Sequence, residues 1–103
     1  MYIPPSSGVE GDPETPTTFF VYQNYPNPFN AETTISFDLP ISGMVSITAF
    51  DLAGRPVAVI ASGYHLAGTH QINWNAEGLQ AGMYIVEVVA GNARGINKVI
   101  LLK

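Results

Sequence analysis

Apolar and polar residues alternate with a period of two through most of this chain. In Thr33 to Leu39, Ile35, Phe37 and Leu39 fall on one side and Thr34, Ser36 and Asp38 on the other. Met44 to Phe50 sets Val45, Ile47 and Ala49 against Ser46 and Thr48. Gly68 to Asn75 sets His70, Ile72 and Trp74 against Thr69, Gln71, Asn73 and Asn75. Residues two apart share one face of a strand, so each run predicts a strand buried on one side. Met83 to Ala90 and Ile96 to Leu102 continue the series. Val57 to Ala61 is apolar throughout, as a strand covered on both faces would be. Phe19 to Asn24 reads as an aromatic first strand, placed at a sheet edge by the prolines that follow it.

Turn signals separate these runs. Pro40 stops the run Thr33 to Leu39. Asp51-Leu52-Ala53-Gly54-Arg55 reads as a turn, with Asp51 capping backbone amides and Gly54 at a positive φ. Gly91 to Gly95 reads as a hairpin loop. Nothing supports a helix at 3.6-residue spacing. Many short strands with regular turns predict an all-β fold, a seven-stranded immunoglobulin-like β-sandwich. Its expected core holds Ile35, Phe37, Val45, Ile47, Ile72, Trp74, Tyr84 and Val86.

One run breaks the pattern. Asn24-Tyr25-Pro26-Asn27-Pro28-Phe29-Asn30 carries too much proline for a helix or a central strand, yet holds two large aromatics. It reads as an ordered, proline-stiffened entry into the sandwich, with Tyr25 and Phe29 as anchors. Residues 1–18 lack apolar periodicity and read as a flexible Pro/Ser/Gly-rich linker, leaving 19–103 as the folded domain.

Composition narrows function by exclusion. The net charge of −4 is concentrated at the start, where Glu10, Asp12 and Glu14 lie. From Phe19 onward five acids meet four bases, which gives no electrostatic footprint for nucleic acid or anionic lipid. The absence of cysteine excludes disulfides and thiolate chemistry. No apolar stretch is long enough to span a membrane as a helix. Met1-Tyr2-Ile3-Pro4-Pro5 lacks the parts of a secretory signal, so an exported form would be a piece of something longer. His65, in an expected turn, and His70, on a strand face, have no second ligand at metal spacing. Asp38 and Asp51 read as turn and strand-end carboxylates, and Glu10, Asp12 and Glu14 lack the further oxygen donors of a calcium loop. No nucleophile, acid pair or cofactor cradle is visible, so the chain reads as a non-enzyme without cofactor. Tyr2, Phe19, Phe20, Tyr22, Tyr25 and Tyr64 keep a carbohydrate-binding sandwich of a glycoside hydrolase open as an alternative. A structural immunoglobulin-like spacer is another.

Several segments in order resemble the type A C-terminal sorting domain of type IX secretion, over about Val21 to Lys103. They are Tyr25-Pro26-Asn27-Pro28-Phe29-Asn30, Thr33 to Pro40, Val45 to Val57 with its Asp51, Gly54 and Arg55 turn, Gly68 to Trp74, Leu79 to Tyr84, and Lys98-Val99-Ile100-Leu101-Leu102-Lys103. Ala31-Glu32 and Pro56 depart from the usual pattern, and Pro56 suggests an edge strand. The resemblance implies a non-catalytic signal at the end of an exported parent protein. It implies recognition by the outer-membrane translocon, processing by a sortase-like peptidase, and a product at the outer-membrane surface or outside the cell. On this reading the entry run fixes the boundary of the domain. Lys98 to Lys103, in a terminal strand with a free backbone edge, is what a partner reads by strand addition or groove binding. A monomer is expected, with edge-strand pairing of two copies as a further possibility.

Overall fold

The computed structural model describes residues 16–102. Most of the expected linker, with Glu10, Asp12 and Glu14, and the final Lys103 lie outside the described residues. The rest forms eight strands: β1 (Phe20–Val21), β2 (Phe29–Asn30), β3 (Glu32–Leu39), β4 (Gly43–Phe50), β5 (Pro56–His65), β6 (Gly68–Asn75), β7 (Gly82–Ala90) and β8 (Ala93–Leu102). They make a three-stranded sheet, β1-β3-β6, and a five-stranded sheet, β2-β8-β7-β4-β5. All strand pairs are antiparallel except β2 with β8.

The alternation decides which side chains face inward. Ile35, Phe37 and Leu39 of β3 meet Val45, Ile47 and Ala49 of β4, Val86 and Val88 of β7, and Val99 and Leu101 of β8 in one core between the sheets. Trp74 and Tyr84 are buried with them, and Ile72 packs half-buried against this core. Both sheets bury one face and leave the other to solvent, as antiparallel sheets commonly do.

Five expectations change. The sandwich has eight strands rather than seven, because Phe29–Asn30, inside the proline-rich run, pairs with β8. The first strand shrinks to Phe20–Val21, at the edge of the smaller sheet. β5 is not covered on both faces. It is the outermost strand of the larger sheet, and Val59 is 70% exposed. An apolar run does not reveal by itself whether a second layer covers it. β5 also extends through His65, which therefore lies in a strand instead of a turn. Finally, the Gly91–Gly95 loop contracts to a two-residue turn, Gly91-Asn92, with Gly91 at φ 60°. Gly95 belongs to β8, where β1 crosses so closely that a Cβ would strike the Val21 side chain.

Candidate functional site

The cross-strand register gathers the distinctive segments at one end of the sandwich. Phe50 of β4 stands opposite Ile85 of β7, and Ile85 opposite Lys98 of β8. The Asp51–Arg55 turn, the Leu79–Tyr84 approach to β7 and the end of β8 therefore share that end, although the chain separates them widely.

The entry run joins them by completing the sheet. Pro26 and Pro28 have no N–H to give to a ladder, so side chains and a two-residue strand do the pairing. The Asn27 side-chain amide stands where a neighbouring peptide group would. Its Oδ1 accepts from the Ile100 N–H at 2.9 Å and its Nδ2 donates to the Lys98 carbonyl at 3.5 Å. Gln23 Nε2 also donates to that carbonyl, at 3.2 Å. Upstream, Asn97 Nδ2 donates to the Tyr22 carbonyl at 2.5 Å. Downstream, Phe29 and Asn30 run parallel to Leu101 and Leu102.

The run is itself held from below. Asn24 is buried to 2% exposure; its Nδ2 donates to Thr33 Oγ1 at 2.9 Å and to the Pro26 carbonyl at 3.2 Å. Its Oδ1 accepts from Gln23 Nε2 at 2.6 Å, and the Thr33 hydroxyl donates to the Pro26 carbonyl at 2.8 Å. Tyr25 and Thr34 exchange backbone hydrogen bonds of 3.1 and 2.9 Å. Ala31 then turns the chain at φ 66°, and its carbonyl accepts from the Ala76 N–H at 2.6 Å. No buried side-chain nitrogen or oxygen among the described residues lacks a hydrogen-bond partner, as a low-dielectric interior requires.

The two expected anchors part company. Phe29 is 1% exposed, its ring centroid 5.7 Å from that of Trp74 at a tilt of 47°. Tyr25 is 80% exposed and anchors nothing through its ring; its backbone does the holding. The expected free edge at the terminal strand is also corrected. From the Lys98 carbonyl through the Ile100 N–H to Leu102 the outer side of β8 is engaged by the entry run, so a partner cannot add a strand there without displacing it.

The neighbouring turn is a compact carboxylate cap. Asp51 Oδ1 accepts from the N–H groups of Ala53 at 3.0 Å and Arg55 at 2.9 Å, and Oδ2 pairs with the Arg55 guanidinium at 3.0 Å. Gly54 supplies φ 84°. The Arg55 N–H, helped by the Arg55 charge and side-chain bond and the Ala53 N–H, holds the Asp51 carboxyl below the ordinary range, against a desolvation that acts the other way. Between this turn and Leu79, Gln80 and Tyr84 lies a shallow hollow of about 460 Å³. Tyr84 closes it by donating to the Gln80 carbonyl at 2.6 Å.

The remaining candidates take structural places. Asp38 accepts from Tyr22 Oη at 2.5 Å and Thr69 Oγ1 at 2.8 Å, tying β3 to β6 and to the residue that follows β1. The Tyr22 pKa is raised, first by that bond, then by desolvation and the Asp38 charge. His65 and His70 pack edge to face at 5.0 Å beside Phe37, and His70 Nε2 lies 2.6 Å from the Leu66 carbonyl. Among the described residues no three His, Asp or Glu side chains gather as metal ligands. Phe20 and Tyr22 cross at 74°, so they form no coplanar platform for a sugar. Sequence reasoning missed Gln23, Asn24, Thr33 and Asn97. For Asn24 and Thr33 the signal was the polar cluster around the prolines, where their partners lie; Gln23 and Asn97 meet partners 75 residues away, which no local pattern shows.

The combination is specific: a proline-rich run whose Asn27 and Phe29 complete the last strand, beside an Asp–Gly–Arg turn at the same end. No curated protein matches the chain. The family model described as the secretion system C-terminal sorting domain matches residues 23–102, a span that takes in both the entry run and the end of β8. The chain belongs to that family, the C-terminal sorting domains of type IX secretion.

Proposed function

We propose that this domain is a folded signal that takes a larger exported protein through the type IX translocon to attachment at the cell surface, after cutting by a sortase-like peptidase. The sorting role comes with the family; surface attachment, the peptidase and placement at the outer membrane or outside the cell are our reading. The observation that carries it is the joining of the entry run to the terminal strand. Asn27, Gln23 and β2 lie along the outer side of Lys98–Leu102 and hold it against the rest of the domain. What a translocon meets is then a composite of both ends of the domain, and only folded protein displays it. We assign the translocon-facing role to Lys98, Ile100, Leu102 and Lys103 together with the outward residues of Tyr25 to Asn30; the expected contacts Val99 and Leu101, like Phe29, are buried in the core and support this patch from within. The exposed Tyr25 ring is a contact within that patch.

The same reading extends to the architecture. An immunoglobulin-like assignment is supported by the strand order, in which β1-β3-β6 and β8-β7-β4-β5 follow the A-B-E and G-F-C-C′ arrangement. The test is a secreted reporter joined ahead of this chain in a bacterium with a type IX system. The reporter is expected on intact cells, accessible to added protease, and Asn27→Ala is expected to reduce it. Reporter found only as a soluble, unmodified product in the medium would overturn attachment.

A further inference from the structure

The larger sheet has a second edge, and the entry run does not reach it. Among the described residues nothing pairs with the outer side of β5. Its open backbone groups follow from parity. Lys98 and Ile100 of β8 point outward to the entry run, so Val99 and Leu101 bond β7. The register carries this across: β4 bonds β7 through Ser46, Thr48 and Phe50, and bonds β5 through Val45, Ile47 and Ala49. The Asp51 N–H, one step on, does donate to Arg55 on the β5 side. Val45 and Ile47 pair with Gly63 and Ala61, which leaves the backbone groups of Ser62 and Tyr64 directed at the open edge.

Natural edges of this kind are blunted by charge, proline or bulges. β5 has Pro56 at its start, and register shifts leave Val57 and Ile60 as extra residues. These devices protect only its first half. Ala61 to His65 is regular, and no Asp, Glu, Lys or Arg occurs from Pro56 to His65. The exposed side chains of this stretch are uncharged: Ser62, opposite Ser46, and Tyr64 at 65%, with the exposed Met44 opposite it on β4.

We propose that Ala61–His65 is a docking edge that takes up an extended, uncharged strand of the export machinery by adding it to the five-stranded sheet. This rests on the sorting role stated above. Backbone donors and acceptors that alternate along an edge are matched only by another extended chain. Residues of the incoming strand opposite Ser62 and Tyr64 would lie on the outer face, so the strand carries an uncharged side chain beside Ser62 and an apolar one beside Tyr64 and Met44. A second copy of this chain fits less well. Five regular residues span roughly 17 Å, and pairing over that length falls short of the roughly 800 Å² per partner of a lasting interface. A short strand contact suits a signal that must be bound and then released.

The reporter fusion with the full chain tests this through Ser62→Pro and Ser62→Lys. Proline at 62 removes an N–H that points outward and leaves the β4 ladder whole. Lysine keeps the N–H but places a charge on the edge, so one variant stands if the other fails to fold. Gln71→Lys, on the exposed polar face of β6, is the control. Export is expected to fall about tenfold in Ser62→Pro, as for the loss of a strand-pairing hydrogen bond, and comparably in Ser62→Lys through the charge set against an uncharged strand, while the melting temperature and the control stay at wild type. Wild-type export of both folded Ser62 variants overturns the docking edge and leaves the sorting role standing. Failure of the unaltered fusion to be exported overturns both. A wild-type dimer in sedimentation that Ser62→Pro dissolves assigns the edge to a second copy, and so overturns the proposal as well.

Discussion

At one edge of the five-stranded sheet, the Lys98 carbonyl is taken by Gln23 and Asn27 and the Ile100 N–H by Asn27, with β2 beyond them. At the other edge, the outward backbone groups of Ser62 and Tyr64 meet no strand among the described residues. The closed edge uses a segment that cannot itself be a regular strand. Two prolines remove its donors, and one asparagine amide replaces them. The open edge uses a long regular strand whose protection stops halfway. A sheet edge is thus closed by chemistry placed at the right spot rather than by β propensity. The run before the sandwich is part of the sheet rather than a spacer ahead of it.

Breaking the closed edge at its apolar root has the largest expected effect. Phe29→Ala empties the space against Trp74 and is expected to cost about 3–5 kcal/mol, as for other buried aromatics, read as a lower denaturation midpoint at an unchanged slope. Asn27→Ala leaves the Ile100 N–H and the Lys98 carbonyl without their side-chain partner, at about 1–2 kcal/mol. Amide exchange sharpens this case. The Ile100 N–H is expected to be protected in the wild type and to exchange faster in the variant, while the Ser62 and Tyr64 amides exchange fast in both. Protection of Ser62 in the wild-type monomer would contradict the open edge.

Acid gives a smaller effect at the turn. The folded Asp51 pKa is depressed, so its contribution is present above the unfolded value near 3.9 and is lost as pH falls through the folded value below that. Asp51→Asn is expected to lower the melting temperature slightly at neutral pH and to remove that part of the acid dependence. The smallest change is Ser62→Lys, expected within about 0.5 kcal/mol of wild type because the site is exposed and unpaired. Set beside Asn27→Ala, it measures how differently the two edges bear substitution.

Much of this was legible in the residues. The period-two pattern marked the inward faces of β3, β4 and β7, and Pro56 pointed to an edge. Phe29 as an anchor followed from an aromatic inside a proline run. Tyr25 looked the same in sequence and lies exposed, because only the packing against Trp74 separates the two rings. The reach of β5 through Gly63 and His65 was hidden by glycine and histidine, which carry no strand signal.

The sequence by itself determined the class of elements, the faces they bury and the family, because periodicity, turn residues and ordered motifs are local properties of the chain. Tertiary structure decided that Asn27 meets Lys98 and Ile100 across more than 70 residues, and that β8 is covered while β5 is open. Strand alternation says which side of a strand faces the core and is silent on which neighbour lies at its edge. That choice is made only when the two sheets close on one core and bring distant backbone groups within hydrogen-bond reach.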